Sequence, residues 1–290
     1  MILHNDRLRV EIADLETVYK GSRFDWTGFI TQVTLDQAHT FCAPESLQAD
    51  EGTGGIGLCN EFGIFQPIGY DDAKPGEQFP KLGVGLLTKP DDAPYAFFLP
   101  YKIEPFPVQI KLEADRITYD IEPLPCRGYE ARLRKMVQLS GTALDIVYEL
   151  ENVGTHPIRT HEYNHNFIAI DGHPPGPGYL FRLANGVNLI KVPPVLRVEG
   201  CELRWKENVT GPLASEATGP HNRIENPFWK LTYEPIGACV LSSVNVPVGY
   251  FNLWFTPRLI CPEVFVTIDL KPGARTTWTR HYEFFSSRMG

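Results

Sequence analysis

The chain lacks a Cys-x-x-Cys pair, a run of basic residues and any long amphipathic stretch of 3.6-residue period. It also lacks an apolar run near the ~20 residues that a bilayer crossing needs. Each absence excludes something. Without paired cysteines, structural zinc of the finger or ribbon kind has no ligands. With 27 basic residues against 35 acidic ones, for a net charge of −8, nucleic acid and anionic membranes are poor partners. The N-terminal segment MILHNDRLRVEIADLE has no cationic stretch followed by an apolar one, so no signal peptide is expected. The six cysteines (Cys42, Cys59, Cys126, Cys201, Cys239, Cys261) are scattered singly through 290 residues. They read as reduced, mostly buried thiols of a cytoplasmic protein.

Glycine and proline are plentiful, at 25 each, and they punctuate short alternating runs. Examples are LRVEIADL (8–15), FITQVTL (29–35), VQIKLEADRITYDIEP (108–123), TALDIVYEL (142–150), VFVTIDL (264–270) and TTWTRHYEFF (276–285). Period-two alternation between turn residues predicts an all-β chain of many antiparallel strands. No composition shift, linker or fixed-period repeat divides it, so residues 1–290 are read as a single domain. The Gly-rich stretch EGTGGIGLCNEFGIFQPIGY (51–70) reads as a long loop, either ligand-binding or covering a sheet edge.

Residues 161–165 read HEYNH, which spells the H-E-x-x-H zinc-protease signature. That signature works on a helix, where positions i and i+4 share a face roughly 5–6 Å apart. On a strand the same residues lie about 13 Å apart, at ~3.3 Å per residue, and cannot share an ion. Between Pro157 and GHPPGPG (172–178) there is room for one element, and its residues are mostly β-branched or aromatic. A strand is predicted, and the zinc-protease reading falls with it.

Two segments carry a family resemblance. In LENVGTHPIRTHEYNHNFIAID, the core Asn164-His165-Asn166-Phe167 resembles the strand that reads "N-H-x-Y/F-F-N-L" in galactose mutarotases (aldose 1-epimerases). In CPEVFVTIDLKPGARTTWTRHYEFF, Glu263, Leu270, Pro272, Gly273, Tyr282 and Phe284 resemble that family's C-terminal pattern. The resemblance covers about residues 140–172 and 250–285. It implies a single-domain antiparallel β-supersandwich, with His165 as general acid and Glu263 as general base. The family's upstream H-G-G segment and G-R-x-x-N-R loop have no counterpart. GSRFDWTGF (21–29) and NEFGIFQPIGY (60–70) stand instead, as in a divergent branch of the superfamily.

The residues themselves suit that chemistry. Interconverting anomers requires a base for the C1 hydroxyl proton and an acid for the ring oxygen, expected on opposite sides of the sugar, and no cofactor or metal. Period two puts His161, Tyr163, His165 and Phe167 on one face of the strand, where rings and nitrogens suit a pyranose. Glu162, Asn164 and Asn166 fall on the other face, where Glu162 needs a buried partner. Arg23 and Asp25 either pair with each other or hold sugar hydroxyls. Glu61 and Lys81 are read as sitting in glycine-flanked loops and are weaker binding candidates. Trp254 and Phe255 are a stacking platform or aromatic core, and His281 reads as structural.

The leading expectation is therefore an aldose 1-epimerase-like isomerase acting on a small-molecule carbohydrate. Catalysis would rest on His165 and Glu263. Arg23, Asp25, Glu61, His161, Tyr163 and Trp254 would bind substrate. A carbohydrate lyase, with Tyr163 and His165 performing a β-elimination and Arg23 neutralising a carboxylate, is the enzymatic alternative. A non-catalytic sugar-binding protein is the third reading. The sequence leaves monomer and dimer equally open.

Overall fold

The structure, a computed structural model, describes residues 1–48, 52–185, 187–218 and 227–286. Among the described residues the architecture is antiparallel β throughout, the one helical element being a 3-10 turn at Ile170–Gly172. Two ten-stranded sheets form the body, and a three-stranded sheet (Gln78–Lys81, Gly85–Thr88, Lys102–Pro105) accompanies them. Along the middle of the first sheet, neighbours run Ile30–Leu35, Leu58–Phe62, Ile158–Asn166, Ile260–Leu270 and Val248–Phe255. The second is centred on Ala238–Val244, Arg275–Ser286, Ala143–Asn152 and Ala131–Ser140. The inner faces interdigitate as in other sandwiches. Phe62 meets Tyr148 and Trp278 edge-on, Phe41 meets Phe284, and Phe181 stacks on Phe251.

Four local expectations need correction. The stretch 51–70 is not one loop: Leu58–Phe62 is a wholly buried strand within it, paired with Ile158–Asn166, while Glu51 lies outside the described residues. Glycines at its two ends let it pass for a loop, since Gly57 and Gly63 hold positive φ where the chain enters and leaves the sheet. The run 108–123 is a hairpin, Val108–Leu112 with Arg116–Ile121. Lys81 ends a strand instead of sitting in a loop. The strand that begins at Val264 in the alternating pattern extends back through Pro262 to Ile260, which places Glu263 in the body of a central strand.

HEYNH lies on the predicted strand, Ile158–Asn166, and its two sets of side chains separate as period two requires. Glu162 finds its partner in the opposite sheet. Arg280 reaches its carboxylate through Nε (3.0 Å) and Nη2 (2.6 Å), while Trp278 Nε1 and Asn60 Nδ2 donate at 3.0 Å each. Arg280 Nη1 also donates to Asn164 Oδ1 at 2.9 Å. A buried carboxylate with this many donors satisfies its lone pairs inside the core.

Gly83 shows how closely the third sheet approaches this core. It has φ +77°, and a Cβ there would lie 2.4 Å from the Asp25 carboxyl group. Gly83→Ala is expected to destabilise the protein by about 1–3 kcal/mol, from left-handed strain alone, with the clash added. Urea unfolding followed by far-UV circular dichroism would measure it.

Candidate active site

Register across the first sheet assembles the site. Tyr163 pairs with Glu61 on one side and with Phe265 on the other. One step along, His165 pairs with Cys59, and Glu263 pairs with Asn252 on the next strand. Side chains one step apart on the same face then form two adjoining rows: Glu61, Tyr163 and Phe265, and beside them His165, Glu263 and Asn252. Tyr163 stacks on Phe265 with centroids 4.2 Å apart, and His165 stacks on Phe167 at 5.1 Å. Phe24 closes the edge of the imidazole at 5.2 Å.

His165 Nδ1 lies 2.9 Å from Glu263 Oε1, and Asn252 Nδ2 donates to Glu263 Oε2 at 2.7 Å. On the other side of the ring, Nε2 is 2.5 Å from Tyr163 Oη and 2.8 Å from Arg23 Nη2. A guanidinium can only donate, so Arg23 directs the Nε2 lone pair toward itself and leaves the ring proton on Nδ1, facing Glu263. His165 and Glu263, the residues expected as acid and base, thus touch each other. The expectation of two groups on opposite sides of a sugar ring is not met.

Arg23 comes from the segment between Leu8–Ile12 and Ile30–Leu35, held by its amide donating to Tyr19 Oη at 3.0 Å. Its Nε donates to Glu61 Oε2 at 2.8 Å and its Nη1 to Thr53 Oγ1 at 2.6 Å. The guanidinium is sandwiched between the rings of Phe24 and Phe97, 4.6 and 4.3 Å from their centroids. Lys81 Nζ completes the cluster, donating to Glu61 Oε1 and Tyr95 Oη at 3.1 Å each.

Burial opposes charge on both Glu61 and Lys81. At Glu61 the attraction of Lys81 and Arg23, with the Tyr163 hydrogen bond, outweighs burial and holds its pKa below the usual carboxylate value. At Lys81 burial prevails over the pull of Glu61, and the pKa falls. The sign of the linkage follows from Glu61. A carboxylate with a depressed folded pKa adds stability above its unfolded value, about 4.3, and loses it as the pH falls through the folded value. The stability difference between wild type and Glu61→Gln should therefore shrink as urea unfolding is repeated below about pH 4.

The sequence candidates divide. Arg23, Glu61, Tyr163, His165, Glu263 and, less expectedly, Lys81 converge. Trp254 lies at the margin, half-buried, its ring centroid 6.2 Å from that of Phe167 in an edge-to-face contact. His161 shares the strand face but stands two residues beyond Tyr163, half-buried, where burial lowers its pKa. Asp25 does not join the cluster: its carboxylate accepts from Lys135 Nζ at 3.0 Å and from the Thr27 amide at 2.8 Å in the interior. His281 pairs with Asp145 at 2.7 Å on the second sheet, whereas His165 and Glu263 lie on the first. Sequence reading missed Asn252, Thr53, Tyr95 and Cys261. Of these, Cys261 carried a signal, being two residues before Glu263 and so on the same strand face.

No protein-family model matches the chain, and no curated protein sequence does. Solved structures do. An Escherichia coli K12 protein provisionally described as an aldose 1-epimerase superposes with a TM-score of 0.62 at 12% identity, covering 98% of both chains. A galactose mutarotase-like protein from Clostridium acetobutylicum gives 0.60 at 10% identity, over 98% of this chain and 94% of that one. Another from Lactobacillus casei gives 0.57 at 12% identity, over 98% and 99%. At such identities the likeness speaks for the fold. With its two packed antiparallel sheets, the chain has the galactose mutarotase-like β-sandwich fold.

Proposed function

We propose that the protein interconverts the anomers of a free sugar or sugar derivative, with Glu263 as base and His165 as acid. The observation that carries this reading is the bonded pair itself: Nδ1–H of His165 pointing at a carboxylate oxygen 2.9 Å away, in a mutarotase-like sheet. The ring oxygen and the C1 hydroxyl of a pyranose share one carbon, so one edge of the sugar can present both to a touching acid and base. The hemiacetal would replace the direct His165–Glu263 bond. Glu263 takes the hydroxyl proton, Nδ1 gives its proton to the ring oxygen, and the C1–O5 bond opens. Nε2 is then within 2.5 Å of the Tyr163 hydroxyl for a replacement proton, with Arg23 beside both to steady the negative charge left behind. Rotation about C1–C2 and reclosure in reverse give the other anomer. Asn252 fixes the second carboxylate oxygen, and Trp254 at the margin is placed to stack on a sugar face.

Proton NMR of anomer exchange across a panel of aldoses and uronic acids tests the proposal. Exchange above the spontaneous rate on at least one sugar is expected. A β-elimination has one observation in its favour, the short Tyr163–His165 contact beside Arg23. It would instead generate ultraviolet absorbance on a uronic acid substrate, and Tyr163 and Glu61, both fully buried, make the poorer arrangement for reaching one.

A further inference from the structure

Behind the acid–base pair stands a residue that the proposed reaction does not use. Cys261 is fully buried, its Sγ 3.5 Å from His165 Nδ1 and 3.8 Å from Glu263 Oε1, and those two atoms are 2.9 Å apart. The three donor atoms, one sulfur, one nitrogen and one oxygen, form a small triangle. A tetrahedral zinc ion with bonds of about 2.3 Å to sulfur and about 2.0–2.1 Å to nitrogen and oxygen would set those edges at about 3.3–3.6 Å. The observed edges depart from this by only a few tenths of an ångström. The largest change needed is a slight opening of the His165–Glu263 hydrogen bond.

We propose that Cys261, His165 and Glu263 form a binding site for a borderline-soft divalent cation of the zinc class, with its fourth position left to solvent or a sugar oxygen. Thiolate, imidazole and carboxylate suit such an ion better than magnesium or calcium, which prefer all-oxygen sets. The surroundings support each ligand from behind. Asn252 orients the Glu263 carboxylate from its outer oxygen. On the far side of the imidazole, Tyr163 Oη can accept a proton from Nε2 while donating its own to Glu61 Oε2 at 2.6 Å. Loading releases the thiol proton and moves the imidazole to its other tautomer. Arg23 Nη2 then gives up Nε2 and keeps Tyr163 Oη, 3.2 Å away. Thiolate and carboxylate together neutralise the ion's two charges. Because the cation takes both members of the acid–base pair, it is an inhibitor of the proposed reaction and not a cofactor for it.

The test is a titration of the chelator-stripped, full-length protein with Co²⁺, which reads the site whether or not the chain turns over a sugar. Expected are a near-ultraviolet thiolate-to-cobalt band and visible bands of tetrahedral cobalt. They should saturate at one ion per chain and be displaced by Zn²⁺. Cys261→Ser and Cys261→Ala should both lose the near-ultraviolet band while keeping the wild-type far-ultraviolet circular dichroism. Glu263→Gln, which keeps the thiol, should weaken binding at least about tenfold. A wild type with no saturable band overturns the proposal. So does a band that survives both cysteine variants, since the thiolate would then lie elsewhere, for instance at the half-buried Cys201. If the chain accelerates anomer exchange, Zn²⁺ should suppress it reversibly in the wild type, and Cys261→Ser should need at least about tenfold more of the ion.

Discussion

His165→Ala should lower the rate of anomer exchange by about 10²–10⁴, the range a positioned acid or base contributes. The size of the loss follows from what the alanine removes. His165 points its Nδ1 proton at Glu263 Oε1, and its ring is held by Phe167 against its face, Phe24 at the edge, and Arg23 and Tyr163 on Nε2. Glu263→Gln should lose a comparable factor, since an amide cannot take the hydroxyl proton. Because the two act as a unit, the double variant should be little worse than either single one. Additive losses would mean that the two work in separate steps. Folding should survive His165→Ala, as the cavity it leaves borders the less buried Glu263.

Arg280→Met is the second large effect, and it falls on stability. Arg280 is the only cation bonded to Glu162 among the described residues, both are fully buried, and the pair bridges the two sheets. Methionine would fill much of the volume but leave Glu162 charged in the core with only Asn60 and Trp278 as donors. Removing one member of such a pair costs about 3–5 kcal/mol. The double variant Glu162→Leu/Arg280→Met should recover part of that loss, because no uncompensated charge remains. Urea unfolding curves of wild type, both single variants and the double variant close the cycle. Equal losses in Arg280→Met and the double variant would show that the charge pair is not what Arg280 contributes.

Much of this architecture is written in period two. Alternation alone identifies the long strands, and it separates His161, Tyr163 and His165 from Glu162, Asn164 and Asn166. The parts that escaped reading are those where local and global signals disagree. Leu58–Phe62 is buried on both faces, so it shows no alternation, and its flanking glycines mimic a loop. Pro262 argues against a strand locally. Its missing N–H is tolerated, and Asn166 Nδ2 takes up its carbonyl. Asp25 sits two residues from Arg23, a spacing that would share one face of a strand, yet it faces Lys135, because the chain from Gly21 to Thr27 bends instead of running extended.

A usable signal did exist for the buried charges. Lys135 lies in phase with Leu133, Val137 and Leu139, and Arg280 with Trp278, Tyr282 and Phe284, each a cation on an otherwise inward apolar row. A cation in that position announces a buried acid opposite. Which acid it meets is fixed only by the pairing of strands more than a hundred residues apart. The same holds for Arg23 and Glu61, whose meeting depends on how the segment before Ile30 folds over the sheet.

Saturation transfer between the two anomeric proton signals of one sugar tests most directly whether His165 drives anomer exchange. It is run with wild type and with His165→Ala at equal concentration, chelator present. Expected is transfer catalysed by the wild type, unaffected by chelator, and reduced to near the spontaneous rate in the variant. Equal transfer in both proteins, or transfer abolished by chelator alone, would contradict that role of His165.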